Sequence, residues 1–445
     1  MNITEDFLQY IWKNRLFRLP LNLVTGEDVE VLDVGQHNHD SGPDFFNAKI
    51  RISNTVWAGN VEVHFKTSDW FMHGHHHDMN YQNIILHVVY HHDVEVSDYD
   101  GCTIPTAEMQ FPLSIYDNYS AILRNTDWIP CGKSVSDVDR LIMNLWLDRL
   151  LAERMLAKAE DIITNYNETK GNWKETIYRQ LARNFGFKVN GMPFSLLAKS
   201  LPYKYLEKHS GNSVQTEALL FGQAGMLEGA DRNNNSVNRN DTGKVYFARE
   251  NDDSAGDDYY MELKGEYAFL RKKYSLRPIA GHIWRFLRMR PANFPTVRIA
   301  QFASLVRSEP GFPSDMLEID PAVLRTKLLG IKPSGYWDNH YIFNKISVKR
   351  LKQLGNQAVH NIIINTLIPV YFEYGRRTGR DNFRQTAIAF LETLPPESNN
   401  ITRGWENAGI SVPNAFYSQS LLQLKNNYCN FRKCLFCQVG NQIIR

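Results

Sequence analysis

The chain of 445 residues carries 50 basic and 48 acidic side chains, a formal net charge of +2 that excludes an extreme of charge while leaving local patches open. Its 43% hydrophobic content is that of a soluble globular protein, and no apolar run approaches the roughly 18 residues of a membrane span. The length exceeds one ordinary core and predicts two domains.

The opening segment Met1-Asn-Ile-Thr-Glu-Asp-Phe7 lacks the basic-then-apolar order of a secretion signal, so the expected location is cytoplasmic, with no membrane partner. Phe7, Leu8, Ile11 and Trp12 recur at helical spacing behind Thr4 and Asp6 and predict a short amphipathic helix. Residues 29–33 predict a first strand and 44–52 a second. Ser53-Asn54 then offers a turn before 56–65 returns. Residues 84–90, apolar on both faces apart from His87, predict a central strand. Past about residue 130 the period becomes helical. A long helix is expected over 138–163, with others near 174–185, 214–227, 260–273, 296–307, 346–376, 381–392 and 416–427. The Asn-, Asp-, Ser- and Gly-rich stretch 229–258 reads as a mobile surface loop. The expected fold class is therefore α/β (α+β), with an α/β domain over 1–125 and a mainly helical domain over 126–445.

Ten of the fourteen histidines fall between His37 and His92, which concentrates the chemistry there. On a strand, Glu62 and His64 point to one face while Val61, Val63 and Phe65 point to the other. Asp44 stands at the mouth of the preceding strand. Two convergent carboxylates suit a hard cation such as Mg²⁺ (or Mn²⁺), which stabilises charge on a phosphoryl oxygen and lowers the pKa of an attacking water. His64, titrating near neutrality in its ordinary state, would orient or deprotonate that water. A tight turn at Ser53-Asn54 places Asp44 opposite Val63, on the wrong side from Glu62. A one-residue bulge, expected at Gly59, would correct the parity.

His73, His75 and Asp78 are of ligand types suited to Zn²⁺, Mn²⁺ or Fe²⁺, which opens a second reading: a transition-metal hydrolase of a small substrate, or a metal-dependent oxygenase. A solvated loop is the plainer alternative for the same run. His87 reads as a hydrogen-bonded core histidine, and His91 and His92 as exposed at a strand end.

Pro43-Asp44 followed by Glu62-Val63-His64 resembles the PD-(D/E)XK phosphodiesterase superfamily, with histidine where lysine is usual. Almost the whole chain also resembles a bacterial family designated domain of unknown function 2851. That likeness is carried by Ser41-Gly-Pro-Asp-Phe45, Gly59-Asn-Val-Glu-Val-His64, Ser68-Asp-Trp70, His73-Gly-His75, Phe221-Gly-Gln-Ala-Gly225 and Arg290-Pro-Ala-Asn-Phe-Pro-Thr-Val-Arg298. The superfamily resemblance implies a restriction-endonuclease-like small mixed sheet flanked by helices, acting on DNA or RNA with Mg²⁺. It implies a further acid from the helix before the sheet, which maps to Glu5, and supporting polar groups at His73, Asp78 and Tyr81. The histidine at the lysine position also suits a non-catalytic nucleic-acid-binding scaffold that keeps the fold.

Tyr428-Cys429-Asn-Phe-Arg-Lys-Cys434-Leu-Phe-Cys437 is a C-x₄-C-x₂-C arrangement, whose spacing lets three thiolates face one centre. Cys131 is the candidate fourth ligand, with Cys102 second. An iron–sulfur (4Fe–4S) cluster or Zn²⁺ is the expected occupant, against unligated thiols as the plain alternative. The superfamily resemblance implies a cluster that clamps the domain. Arg285, Arg288, Arg290 and Arg298, interleaved with Trp284 and Phe286, offer phosphate binding with base stacking, or a solvated helix face.

Overall fold

The computed structural model describes residues 3–227, 257–308, 311–317 and 320–445. The chain divides into two units. The first comprises Met1–Trp146, Gly404–Ile410 and Leu424–Arg445, and the second Leu147–Arg403 and Ser411–Gln423. The expected boundary near residue 125 therefore lies about twenty residues too early. The expected single C-terminal domain also gives up its last segment, because the cysteine-bearing tail packs with the first unit.

In the first unit, helix α1 (Glu5–Lys13) precedes a seven-stranded mixed sheet. Its strands are β1 (Leu21–Asn22), β2 (Asp28–Asp33), β3 (Gln36–His37), β4 (Phe45–Ile52), β5 (Thr55–Lys66), β6 (Ile84–His91) and β7 (Thr106–Glu108). They lie in the order β1-β2-β4-β5-β6-β7, with β3 alongside β4. β2, β4 and β5 pair antiparallel, whereas β5–β6 and β6–β7 are parallel. The parallel step requires a crossover. It is supplied by the short helix α2 (Asp69–Met72) and two 3₁₀ turns, His75–His77 and Met79–Tyr81.

The apolar stripe of α1 explains one face of this sheet. Phe7, Leu8, Ile11 and Trp12 pack in one core with Val61 and Val63 of β5, Leu86 and Val88 of β6, and Ile115 and Ile122 of helix α3 (Leu113–Arg124). Period-two alternation turns Glu62, His64 and His87 to the opposite face, where all three are nonetheless buried. That face is covered by a second, smaller cluster of Trp70, Tyr81, Ile84, Val96 and Ile104.

The second unit is mainly helical. The helices expected at 174–185, 260–273, 296–307 and 381–392 appear as Trp173–Phe185, Asp258–Tyr274, Pro295–Ser308 and Asp381–Thr393. The one expected over 346–376 is broken up. Lys345–Ile346 is a strand, helix resumes at Asn356–Ile362 after Gly355, and a π-helical turn over Ile363–Leu367 leads into Ile368–Thr378. That turn ends just before Pro369, whose ring removes an amide donor from the helical ladder. The expected loop at 229–258 lies outside the described residues except for Asp257 and Asp258. Among the described residues, no helix is long and apolar enough to cross a membrane.

Candidate metal centre

The hairpin turn at Ser53-Asn54 pairs Ile52 with Thr55, as the sequence predicts. The parity correction is also present, but in the other strand. Phe45 pairs with Val61 and Ala48 with Gly59, so three steps of β4 face two of β5. The extra residue falls at Phe46–Asn47, where Asn47 takes a left-handed backbone (φ 56°) and donates its N–H to the Asn60 side chain. Asn is among the few non-glycine residues that tolerate that conformation. Gly59 serves instead to let β6 approach, since a Cβ there would stand 2.4 Å from Ile85 Cγ2 and 2.7 Å from the Asn83 carbonyl.

The bulge brings Asp44 beside Glu62. The Asp44 N–H donates to Glu62 Oε2 at 3.0 Å, and the Val63 N–H donates to Asp44 Oδ2 at 3.0 Å. From α1, Gln9 donates to Asp44 Oδ1 at 2.8 Å and meets His37 Nε2 through its own oxygen at 3.2 Å. Glu5, one turn before Gln9 on the same helix face, is half-buried. Burial raises its pKa, with His73 and His75 opposing and Asp69 adding to the rise.

Three imidazoles converge on the free side of Glu62. His64 Nε2 and His75 Nε2 lie 3.4 Å and 3.3 Å from Glu62 Oε1, and His73 Nδ1 is 3.1 Å from His64 Nε2. One ring nitrogen from each of His64, His73 and His75 falls within 4.8 Å of the others. His64 comes from the middle of β5, while His73 and His75 follow α2. The loop is anchored by Trp70, fully buried, whose indole donates to the Ser97 carbonyl at 3.1 Å. Asp93 holds the other side by accepting from both the N–H and the hydroxyl of Ser68. Gly74, with φ 75°, makes the left-handed step between the two histidines. Tyr81 stacks on His75 at 3.9 Å between centroids.

Burial keeps the His64 and His75 rings uncharged. Burial drives His64 down to about 2, with the neighbouring His87, His75 and His73 adding to the fall. Burial also lowers His75, against Asp44, Asp78 and Glu5. Burial pushes Glu62 up to about 8, opposed by the Asp44 N–H and helped by Glu5. Asp44 is raised by burial and then by the charge of Glu62. The Glu62–imidazole contacts thus join a protonated carboxyl to neutral rings near pH 7, not two ions. A neutral imidazole offers a nitrogen lone pair to a metal, and imidazole-rich sets suit Zn, Fe or Mn more than Mg.

The remaining sequence candidates sort as follows. Asp78 spends its carboxylate on capping the Met79–Tyr81 turn, accepting from the Asn80 N–H at 2.9 Å. His87 shares a 2.9 Å hydrogen bond with His64 Nδ1, leaving Nε2 of His64 for the cluster. It is therefore buried and hydrogen-bonded as expected, but the bond orients a site residue. His91 is exposed, whereas His92 is half-buried and bonded to Thr67 Oγ1 at 3.0 Å. Arg285, Arg288 and Arg290 are exposed. Arg298 is not available at the surface: it is 7% exposed, lies 4.6 Å over the Phe187 ring and donates to Gln301 and Asn293. Its apolar neighbours on Pro295–Ser308 drew it into the interior. Gln9 and His37 went unmarked in the sequence, although the i, i+4 spacing of Glu5 and Gln9 was a readable signal.

The fold and site define a mixed-sheet α+β protein with an imidazole-rich cluster on one sheet face. The chain belongs to the family described as protein of unknown function (DUF2851), whose match spans residues 5–400. No curated protein and no solved structure matches the chain.

Proposed function

We propose that the protein is a metal-dependent phosphodiester hydrolase acting on nucleic acid, with its metal held by His64, His73, His75 and Glu62. The observation that carries this is the convergence of three ring nitrogens and one carboxyl oxygen on one point. It differs from the two-carboxylate Mg²⁺ site expected from the sequence in its three nitrogen donors, while Asp44 accepts from Gln9 and from the Val63 N–H. A bound metal would polarise a phosphoryl oxygen and lower the pKa of its water. Within the chain, Glu5 and Asp44 stand as the further carboxylates near that point, and His87 fixes the ring of His64.

The phosphodiester assignment draws on the resemblance of Pro43-Asp44…Glu62-Val63-His64 to the PD-(D/E)XK superfamily. It also draws on the hairpin β4–β5 that delivers those residues from a small mixed sheet flanked by α1 and α3. A nucleic-acid substrate is supported in the second unit by exposed Arg285, Arg288 and Arg290. There a cavity of about 790 Å³ is lined by Lys188, Asn190, Arg288, Arg290 and Gln357. Such a surface suits phosphate contacts. The imidazole-rich donor set favours a second reading, hydrolysis of a small phosphoester at a transition metal.

The test is cleavage of single- and double-stranded DNA and RNA, and of a bis-aryl phosphodiester, with Mn²⁺, Zn²⁺, Fe²⁺ or Mg²⁺. Wild type is compared with Glu62→Ala and His75→Ala. Nucleic-acid cleavage lost in both variants supports the proposal, and turnover of the small ester alone moves it to the second reading. Nucleic-acid binding with no cleavage under any metal points to the scaffold.

A further inference from the structure

The structure assigns a second metal site, remote in sequence from the histidines: we propose that Cys131, Cys429, Cys434 and Cys437 hold a 4Fe–4S cluster, not zinc, which fastens the C-terminal tail within the first unit. This site stands on its own observations and does not rest on the reading of the histidine centre.

All four cysteines are free thiols, and all lie in the first unit although some three hundred residues separate Cys131 from the others. The loop bearing Cys131 follows α3, and the tail folds against it. Arg432 donates to the carbonyls of Leu123 and Asn125, and Lys425 donates to the Trp128 carbonyl while its ammonium lies 4.7 Å over the Trp128 ring. Cys102, the fifth cysteine, is exposed, and the other four are not. Those four thiols lie within electrostatic reach of one another. Burial, then Cys437 and Cys434, push Cys131 up to about 12. Burial, then Cys437, push Cys434 up to about 12. Burial raises Cys429 further still, with all three other thiols adding. Cys434 and Cys437 are buried and Cys131 and Cys429 half-buried, so the fold gathers four unbridged thiols largely away from solvent. A multivalent metal centre would take them as thiolates.

The surroundings are built for thiolates. Cys437 closes a 3₁₀ turn over Cys434–Phe436 and precedes the helix Gln438–Ile444. The backbone N–H groups of Gly440 and Val439 and the Trp146 side chain all pull its pKa down against burial. N–H donors aimed at sulfur stabilise a bound thiolate, and in iron–sulfur proteins they set the potential. Gly440 permits this arrangement: a Cβ there would stand 2.2 Å from the Cys434 carbonyl oxygen. Lys425 near Cys429 and Arg432 near Cys434 supply positive charge against the thiolates.

Size decides between the occupants. Four sulfurs around one zinc, at about 2.3 Å each, stand roughly 3.8 Å apart. Among the described residues, the one set of three or more ligand atoms mutually within 4.8 Å is that of the three histidines, so no three of these sulfurs are drawn in so tightly. That spacing is not one of sulfurs already closed on a single zinc, and a cubane of iron and sulfide takes its thiolates from further apart, with C-x₄-C-x₂-C supplying three ligands and Cys131 the fourth.

The experiment is to purify the full chain anaerobically, reconstitute it with Fe²⁺ and sulfide, and assay iron, acid-labile sulfide and zinc. Low-temperature electron paramagnetic resonance after dithionite reduction completes the set. The expected result is iron and sulfide in equal amounts, a brown visible absorption and a reduced-cluster signal. Cys131→Ser and Cys437→Ser should lose most of that iron, while Cys102→Ser keeps it all. Stoichiometric zinc without sulfide would overturn the assignment of a cluster, and no bound metal after reconstitution would overturn the site altogether. Metal content of the wild-type protein decides both, so a variant that fails to fold does not shield the proposal. Full iron retention in a folded Cys131→Ser would remove Cys131 from the set.

Discussion

Replacing Glu62 by glutamine separates a ligand held in waiting from a structural ion pair. Glu62 is 4% exposed, accepts the Asp44 N–H through Oε2, and places Oε1 3.3 Å and 3.4 Å from the imidazoles of His75 and His64. Burial raises its pKa from 4.5 to about 8. The unfolded chain therefore releases this proton near pH 4.5 while the folded chain holds it to about 8. Stability from this group is fully present below the unfolded pKa. It falls as pH rises through the window and levels off above the folded pKa. At roughly 1.4 kcal/mol per unit, the ionised carboxylate costs the metal-free protein on the order of 2–5 kcal/mol at pH 9. Glutamine has the same shape, can accept the Asp44 N–H and can donate to a neutral imidazole, but cannot ionise. Metal-free Glu62→Gln should thus match wild type at pH 4–5 and exceed it at pH 9. At about 2–4 °C per kcal/mol for a unit of this size, the gain in Tm is roughly 5–15 °C. With Mn²⁺ or Zn²⁺ at a hundred times its Kd, wild type should gain about 2.7 kcal/mol and the variant almost none. Calorimetry of both proteins across pH, with and without metal, reads all of this. A variant less stable than wild type at pH 9 without metal would refute the protonated state, since Glu62 would then be stabilising as an ion.

Metal affinity at the histidine centre should rise between pH 6 and 8 and then flatten, with proton release on binding, because the metal competes with a proton held on Glu62 up to about 8; isothermal titration in buffers of different ionisation enthalpy checks both. His87→Phe removes the 2.9 Å bond that orients His64 and should weaken metal binding about 10–100-fold while secondary structure by circular dichroism is unchanged. Gly59→Ala should destabilise the first unit by about 1–3 kcal/mol, read as a lower Tm, because the added carbon meets Ile85 and the Asn83 carbonyl. If nucleic acid is the substrate, Arg288→Ala should reduce its binding and flatten the salt dependence without changing Tm. Arg298→Ala should instead lower Tm, since that guanidinium is packed on Phe187 and bonded to Gln301 and Asn293.

The sheet and its first helix were legible because their signals are local. Phe7, Leu8, Ile11 and Trp12 keep helical spacing, and β5 alternates Val61, Glu62, Val63, His64 over two buried faces. The need for a bulge was legible as well, from parity alone. Its position was not: glycine marks conformational freedom, and at Gly59 that freedom serves the close approach of β6, while Asn47 carries the left-handed residue. The helices at Phe187–Ser200 and Tyr203–His209 escaped the sequence pattern, the first because Gly191 and Pro193 interrupt it. The return of the tail toward Cys131 was legible in the cysteine pattern, but its place in the first unit was not, because it depends on contacts such as Arg432 to the Leu123 and Asn125 carbonyls, across three hundred residues. At the site, residue types pointed to the right strand and loop, but no one-dimensional signal tells that Asp44 is consumed by Gln9 while His73 and His75 swing onto Glu62.

That exchange of roles explains why the histidine at the lysine position need not end the chemistry. A lysine at residue 64 would sit beside His87, His73 and His75 in a buried pocket, where its charge would be costly. A neutral imidazole avoids that cost and adds a ligand. Metal-free, the site then keeps Glu62 protonated and His64 and His75 uncharged, so the protein avoids burying net charge there. A cation taken up there would replace the proton on Glu62 and would meet a His64 ring oriented by His87 and a His75 ring stacked on Tyr81. Under the proposed function, the departure from the two-carboxylate pattern would shift metal preference toward softer, nitrogen-seeking ions. The ratio of activity with Mn²⁺ or Zn²⁺ to that with Mg²⁺ measures it: it should exceed one in wild type and fall in His75→Asp, which restores an oxygen donor.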